Sequence, residues 1–207
     1  MVHDLKSTRK EIGTSLSAHV GVDPEVDYEL GVFFGSKLDK LTHNGRDRIM
    51  AISLKNPTFA WSLGHGVGWK FKKFHWKLRA WVFSLANQDP YFAGGLGRSM
   101  SRHIRKLALA DSLEPIMEFA LEHPVFAFEL AYDLGYHFGI LSDSVKEMIC
   151  EIAVKNDRFS FRVGEGIGGI YEKLEHSDKE FVFEFTSKNE YFSKGFFKSS
   201  PKNDLPT

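Results

Sequence analysis

Asn56-Pro57-Thr58-Phe59-Ala60-Trp61-Ser62-Leu63-Gly64-His65-Gly66-Val67-Gly68 opens with a helix-starting pair and then places Phe59, Leu63 and Val67 four residues apart. An Asn side chain caps exposed backbone N–H groups, and proline is harmless in the first turn, where a donor would have no intrahelical partner. Spacing by four sets the apolar residues on one face of a helix. Equivalent pairs occur at Asp23-Pro24, Asp89-Pro90, His123-Pro124, Asn156-Asp157 and Asn189-Glu190, and successive second members lie 33, 33, 34, 33 and 33 residues apart.

The residues downstream of each pair agree as well. Two residues on stand Val26, Phe59, Phe92, Phe126, Phe159 and Phe192, and six on stand Leu30, Leu63, Leu96, Leu130, Val163 and Phe196. The rows Phe34, Val67, Met100, Leu134, Ile167 and then Leu38, Phe71, Ile104, Phe138, Tyr171 continue the stripe. It predicts a first helix, A, of about 18 residues. A shorter apolar cluster before each next pair, such as Val82, Phe83 and Leu85, predicts a second helix, B. Between them, Ser144 with Glu147 and Ser177 with Glu180 fit capping boxes, and Pro115 fits the first turn of the third helix B. The second copy shows no break: Trp69 to Ala86 holds no Gly, Pro, Asn, Asp or Thr.

The expected fold is therefore all-α, a right-handed α-solenoid of about five helix-turn-helix repeats of 33 residues plus a terminal half repeat. The boundaries are a capping helix at 1–22, repeats at 23–55, 56–88, 89–122, 123–155 and 156–188, a partial copy at 189–198, and a disordered tail at 199–207. Thr8 and Glu11 fit a capping box in the leading helix, and two prolines among small polar residues mark the tail.

A second stripe on helix A is small: Ala60, Gly64, Gly68; Ala93, Gly97, Ser101; Ala127, Ala131, Gly135; Ser160, Gly164, Gly168. Glycine inside a helix costs about 1 kcal/mol relative to alanine, so its recurrence at matched positions calls for close approach of the neighbouring A helix. The third stripe varies: Tyr28, Val32, Ser36; Trp61, His65, Trp69; Gly94, Arg98, Arg102; Phe128, Tyr132, Tyr136; Phe161, Glu165, Gly169. Large aromatics facing away from a core mark an interaction surface. Trp61, His65, Trp69, Arg98, Arg102, Phe128, Tyr132 and Tyr136 are accordingly the candidate binding residues, with the arginines expected between two aromatic groups.

Phe34-Gly35-x-x-Leu38, Val67-Gly68-x-x-Phe71, Leu134-Gly135-x-x-Phe138 and Ile167-Gly168-x-x-Tyr171 resemble the Leu-Gly-x-x-Tyr step of a TPR first helix, and the architecture is similar to tandem helical-hairpin families of the TPR and HEAT kind. The period of 33, an expected helix A that is too long and the missing small-aromatic-small pattern of a TPR second helix depart from that family. The resemblance implies a protein-binding scaffold and carries no binding residue across.

Motifs with chemical meaning reduce to the repeat. Gly164-Glu165-Gly166-Ile167-Gly168-Gly169 has the letters of a dinucleotide loop, which needs a preceding strand, yet it falls inside a predicted helix A. Cys150 shares a row with Met50, Phe83, Met117 and Phe183 and is read as core. His103 and His137 share another row and are read as a solvated face rather than metal ligands. No catalytic group, metal or cofactor is expected, and the chain is expected not to be an enzyme.

Lys plus Arg number 27, as do Asp plus Glu, so any attraction to a polyanion must be local. From Trp69 to Lys106 there are nine Lys/Arg and one acid, Asp89; from Asp111 to Glu151 there are nine Asp/Glu and one base, Lys146. The preferred partner is a protein or peptide. A single-stranded nucleic acid on the basic aromatic region 69–106 is the alternative, and the opposed blocks would also let copies of the chain associate with one another. No apolar run reaches the roughly 18 residues of a spanning helix, so no membrane partner is expected. Met1 to Gly13 is too charged for the apolar core of a signal peptide, so a cytoplasmic location is expected.

Overall fold

The computed structural model describes residues 20–110 and 112–200, and every regular element among them is helical. The α-helices are α1 (Pro24–Ser36), α2 (His43–Ser53), α3 (Pro57–Lys70), α4 (Trp76–Gln88), α5 (Pro90–Ser101), α6 (Ile104–Ala108), α7 (Glu114–Glu122), α8 (Pro124–Tyr136), α9 (Asp143–Lys155), α10 (Asp157–Gly168), α11 (His176–Lys188) and α12 (Glu190–Ser199). The chain forms two compact units, residues 1–99 and 100–207. The expected leading helix lies almost wholly outside the described residues, as does most of the 199–207 tail.

The anchor pairs start their helices as their chemistry requires. Asp23 accepts from the Glu25 N–H, Asn56 from Phe59, Asp89 from Tyr91 and Phe92, Asn156 from Phe159, and Asn189 from Phe192. His123 makes no side-chain cap. The first apolar stripe is the core: Phe59, Phe92, Phe126 and Phe159 are fully enclosed, and Leu63, Leu96, Leu130 and Val163 lie one turn on with the same burial. Each such side chain contributes about 1.5–3 kcal/mol of transfer free energy.

Helix A is shorter than its apolar stripe. Instead of about 18 residues, α1, α3, α5, α8 and α10 run for 13, 14, 12, 13 and 12. Each stops at one row, where Lys37, Lys70, His103, His137 and Ile170 all have φ between −123° and −108° and ψ between −7° and 13°. That bridge conformation breaks the i→i−4 ladder. A 3₁₀ turn follows at Leu38–Lys40, Phe71–Lys73, Phe138–Ile140 and Tyr171–Lys173, and the short α6 follows in the third copy. Leu38, Phe71, Ile104 and Phe138 stay buried through the change, which is why apolar spacing alone reads straight across it.

The capping boxes are also displaced. The helix B caps are Ser142, which accepts from Val145 N–H, and Glu175, which makes no side-chain cap; Ser144 and Ser177 sit inside α9 and α11. Pro115 does lie in the first turn of α7. In the second copy the break falls at His75, the uncapped start of α4. There a side chain closes the turn: Arg79 donates from Nε to the Phe74 carbonyl at 2.9 Å and from a terminal nitrogen to the Lys72 carbonyl at 2.9 Å. Arg46 donates to Leu41 O and Lys179 to Glu172 O from the same row. Arg79, Lys146 and Lys179 also stand 5.5, 5.2 and 5.5 Å from the centroids of Phe71, Phe138 and Tyr171.

Within residues 1–99, α1 packs along α3; within 100–207, α8 packs along α10 and α10 along α12. Glycine sets these contacts from both sides. A Cβ on Gly64 would lie 2.1 Å from Phe92 O of α5, and one on Gly66 would lie 2.4 Å from Val32 O of α1. Residues two apart are about 200° apart around a helix, so Gly-x-Gly-x-Gly relieves opposite flanks. In α10, Gly164 and Gly168 likewise meet α12 at Phe192 O and Phe196 O, while Gly166 meets α8 at Tyr132 O. The expected small stripe is therefore a close-packing device, and it has a second, opposite counterpart. The letters of the dinucleotide loop are consumed by that packing: Gly164 to Gly168 are helical, and among the described residues no strand precedes them.

Candidate functional site

The third stripe is richest in rings in residues 1–99. Tyr28 on α1 stacks on Trp61 of α3 at 6.1 Å between centroids, Trp61 stacks on His65 at 5.3 Å, and His65 meets Trp69 at 5.1 Å. The row is wet at its ends and dry in the middle: Tyr28 and Trp69 are 40% and 47% exposed, Trp61 is half-buried, and His65 is buried at 4%. His65 thus supports the row rather than offering a contact, a placement that its position between two tryptophans on one helix face could have suggested. Arg98 is exposed on α5.

In residues 100–207 the rings carry cations. Tyr132 and Tyr136 stack at 6.4 Å along α8, with Tyr136 44% exposed. Arg158 lies 4.5 Å over Phe128, Arg162 lies 5.0 Å over Tyr132, and Lys198 lies 5.3 Å over Phe161. Glu165, 9% exposed, bonds both Arg162 and Lys198, the latter at 2.7 Å. Burial alone would raise the Glu165 carboxyl; the Lys198 hydrogen bond and the Arg162 charge outweigh it and hold the group below the usual carboxylate range. Arg102 is exposed.

The cations over Phe128, Tyr132 and Phe161 come from α10 and α12, and Arg98 and Arg102 belong to different compact units. The available signal was a basic pair spaced by four, Arg158 with Arg162 and Lys194 with Lys198, on the helix after each aromatic one. Such an arrangement can grip flat or cationic side chains through stacked rings and can pair carboxylates with the outer faces of the guanidinium groups.

Elsewhere, chemistry recedes. Cys150 is half-buried rather than core, and burial, aided by the Glu147 charge, pushes its thiol up to about 11. Burial is the main cause that lowers the His103 and His137 pKa values. No group of three or more His, Cys, Asp or Glu side chains among the described residues could hold a metal ion, and none of their helices is long and apolar enough to cross a membrane. No family model, curated protein or solved structure matches the chain.

Proposed function

We propose that the chain is a non-enzymatic binding scaffold, a right-handed α-solenoid of about five 33-residue repeats, which engages a protein or peptide through the aromatic and arginine face of its A helices. The observation that carries this reading is the ring row Tyr28–Trp61–His65–Trp69, whose terminal rings stay exposed while the inner ones are held by neighbours. Rings immobilised before binding lose little side-chain entropy when a partner arrives, so exposed Trp and Tyr anchors suit an interface. The binding residues in this reading are Trp69, Tyr132 and Tyr136, with Arg98 and Arg102 as polar contacts and Trp61, His65 and Phe128 as supports.

The test is capture from native lysate by the tagged full chain, with nuclease-treated and untreated arms, compared with Trp69→Ala and Tyr132→Ala variants. Retention through nuclease and moderate salt, with loss in the variants at unchanged melting temperature, supports the scaffold. A variant that captures its partner as the parent does removes that residue from the site, and a marked fall in stability makes its ring a core element.

A further inference from the structure

The second A-to-B turn is unlike the others. The segment Lys70-Phe71-Lys72-Lys73-Phe74-His75-Trp76-Lys77 has no carboxylate, and the next one along the chain is Asp89. The corresponding turns carry Asp39, Asp143, and Glu172 with Glu175. The nine bases between Trp69 and Lys106 are not equivalent. Arg79 is engaged in closing the turn, and Arg102, Arg105 and Lys106 belong to residues 100–207. Lys72, Lys73 and Lys77 are exposed, and among the described residues no carboxylate pairs with them. Beside them Trp76 is 73% exposed, with Lys77 Nζ 5.5 Å from its ring centroid.

A large ring left in water next to three unneutralised cations fits a ligand that alternates negative charge with flat rings. We propose that the turn at 70–77 docks a single-stranded nucleic acid, with Lys72, Lys73 and Lys77 meeting phosphates and the face of Trp76 stacking on a base. A bilayer would need several apolar groups to enter it, and Phe71, Phe74 and Leu78 are all buried, so Trp76 is the turn's one exposed apolar side chain. An acidic peptide would use the lysines and leave the ring without a stacking partner. The closed turn, held by Arg79, presents these groups from a fixed backbone.

This site is separate from the aromatic rows, and none of their residues enters its test, so either reading can fail alone. Fluorescence anisotropy with labelled oligouridylate and oligothymidylate of about 15 nucleotides measures binding to the full chain and separates RNA from DNA. Three phosphate contacts predict that log affinity falls with log salt at a slope of about −2. Lys72→Glu combined with Lys73→Glu should weaken binding at least tenfold; Trp76→Ala should weaken it about fivefold or more, and Trp76→Phe should restore most of that. Circular dichroism should show parental melting for each variant, since all three positions are exposed. Failure of both oligonucleotides to bind at low salt, or unaltered binding by the variants, overturns the proposal. So does equal or tighter binding to phosphatidylserine vesicles or to polyglutamate, which would assign the turn to a membrane or to an acidic protein instead.

Discussion

The carbonyl oxygen of Phe92 occupies the space where a side chain on Gly64 would begin: a Cβ there would lie 2.1 Å from it and 2.8 Å from the Leu96 nitrogen. Both obstacles are backbone, so α3 and α5 would have to separate. Gly64→Ala should therefore lower stability by about 1–3 kcal/mol, although helix propensity alone would add about 1 kcal/mol. Gly169 is the control, because its Cβ would meet nothing nearer than 3.6 Å. Gly169→Ala should be neutral or stabilising by up to about 1 kcal/mol. Thermal melts of the two variants with the parent decide this, and a Gly64→Ala protein that melts higher refutes close packing at that site.

Arg79 provides the second expectation. Replacing it with Met keeps the apolar stem and removes both hydrogen bonds to the turn, at a cost of about 1–2 kcal/mol. Arg79→Lys should recover part of the loss, as Lys179 reaches the Glu172 carbonyl from the same row. Amide exchange around Phe74 to Leu78 is the direct readout, and it should quicken in the Met variant before global melting shifts much.

Glu165 sets an acid dependence. Its carboxyl titrates below its unfolded value, so its contribution is complete above the unfolded carboxylate pKa of about 4.3 and disappears as pH falls through the lower folded value. Urea midpoints measured from neutral pH downward should decline in the parent across that window. Glu165→Gln should start lower at neutral pH and decline less. Parallel pH curves for the two proteins would show that the Arg162–Glu165–Lys198 cluster is not linked to folding.

Cys150 should be sluggish. With its thiol at about 11, its thiolate fraction at neutral pH falls roughly 300-fold below that of a free cysteine near 8.5. Because a more basic thiolate is also more nucleophilic, which offsets part of that loss, modification by a disulfide reagent at neutral pH should be slower by about an order of magnitude or more than for glutathione, and should approach the free-thiol rate in denaturant. Labelling of the folded chain at the free-thiol rate would contradict the raised thiol pKa.

The helix starts were legible because an N-cap is decided by two or three adjacent residues, and the core because Phe59, Leu63 and Val67 repeat at the helix period. The ends of the A helices were not, since Lys37, Lys70, His103, His137 and Ile170 share a backbone conformation and no side-chain chemistry. The turn before α4 was invisible for a related reason: its closure comes from Arg79, several residues downstream, instead of from a turn-forming residue. The aromatic residues of the candidate face were found by their periodicity. The basic pairs Arg158 with Arg162 and Lys194 with Lys198 are visible in the sequence, but which cation lies over which ring depends on how far one helix slides along the next, and their spacing does not encode that offset.

The glycine-to-carbonyl contacts between α1 and α3 carry one more implication. Because backbone faces backbone at Gly35 and Gly66, the gap between these helices is set there by hard repulsion and not by the size of a side chain. Tyr28 and Trp61, one on each helix, inherit their 6.1 Å separation from that gap. The face therefore works as a ruler of fixed pitch: its lettering can be rewritten at Tyr28, Trp61 or Trp69 without changing the graduation, and a ligand that reads two helices at once must supply the matching step.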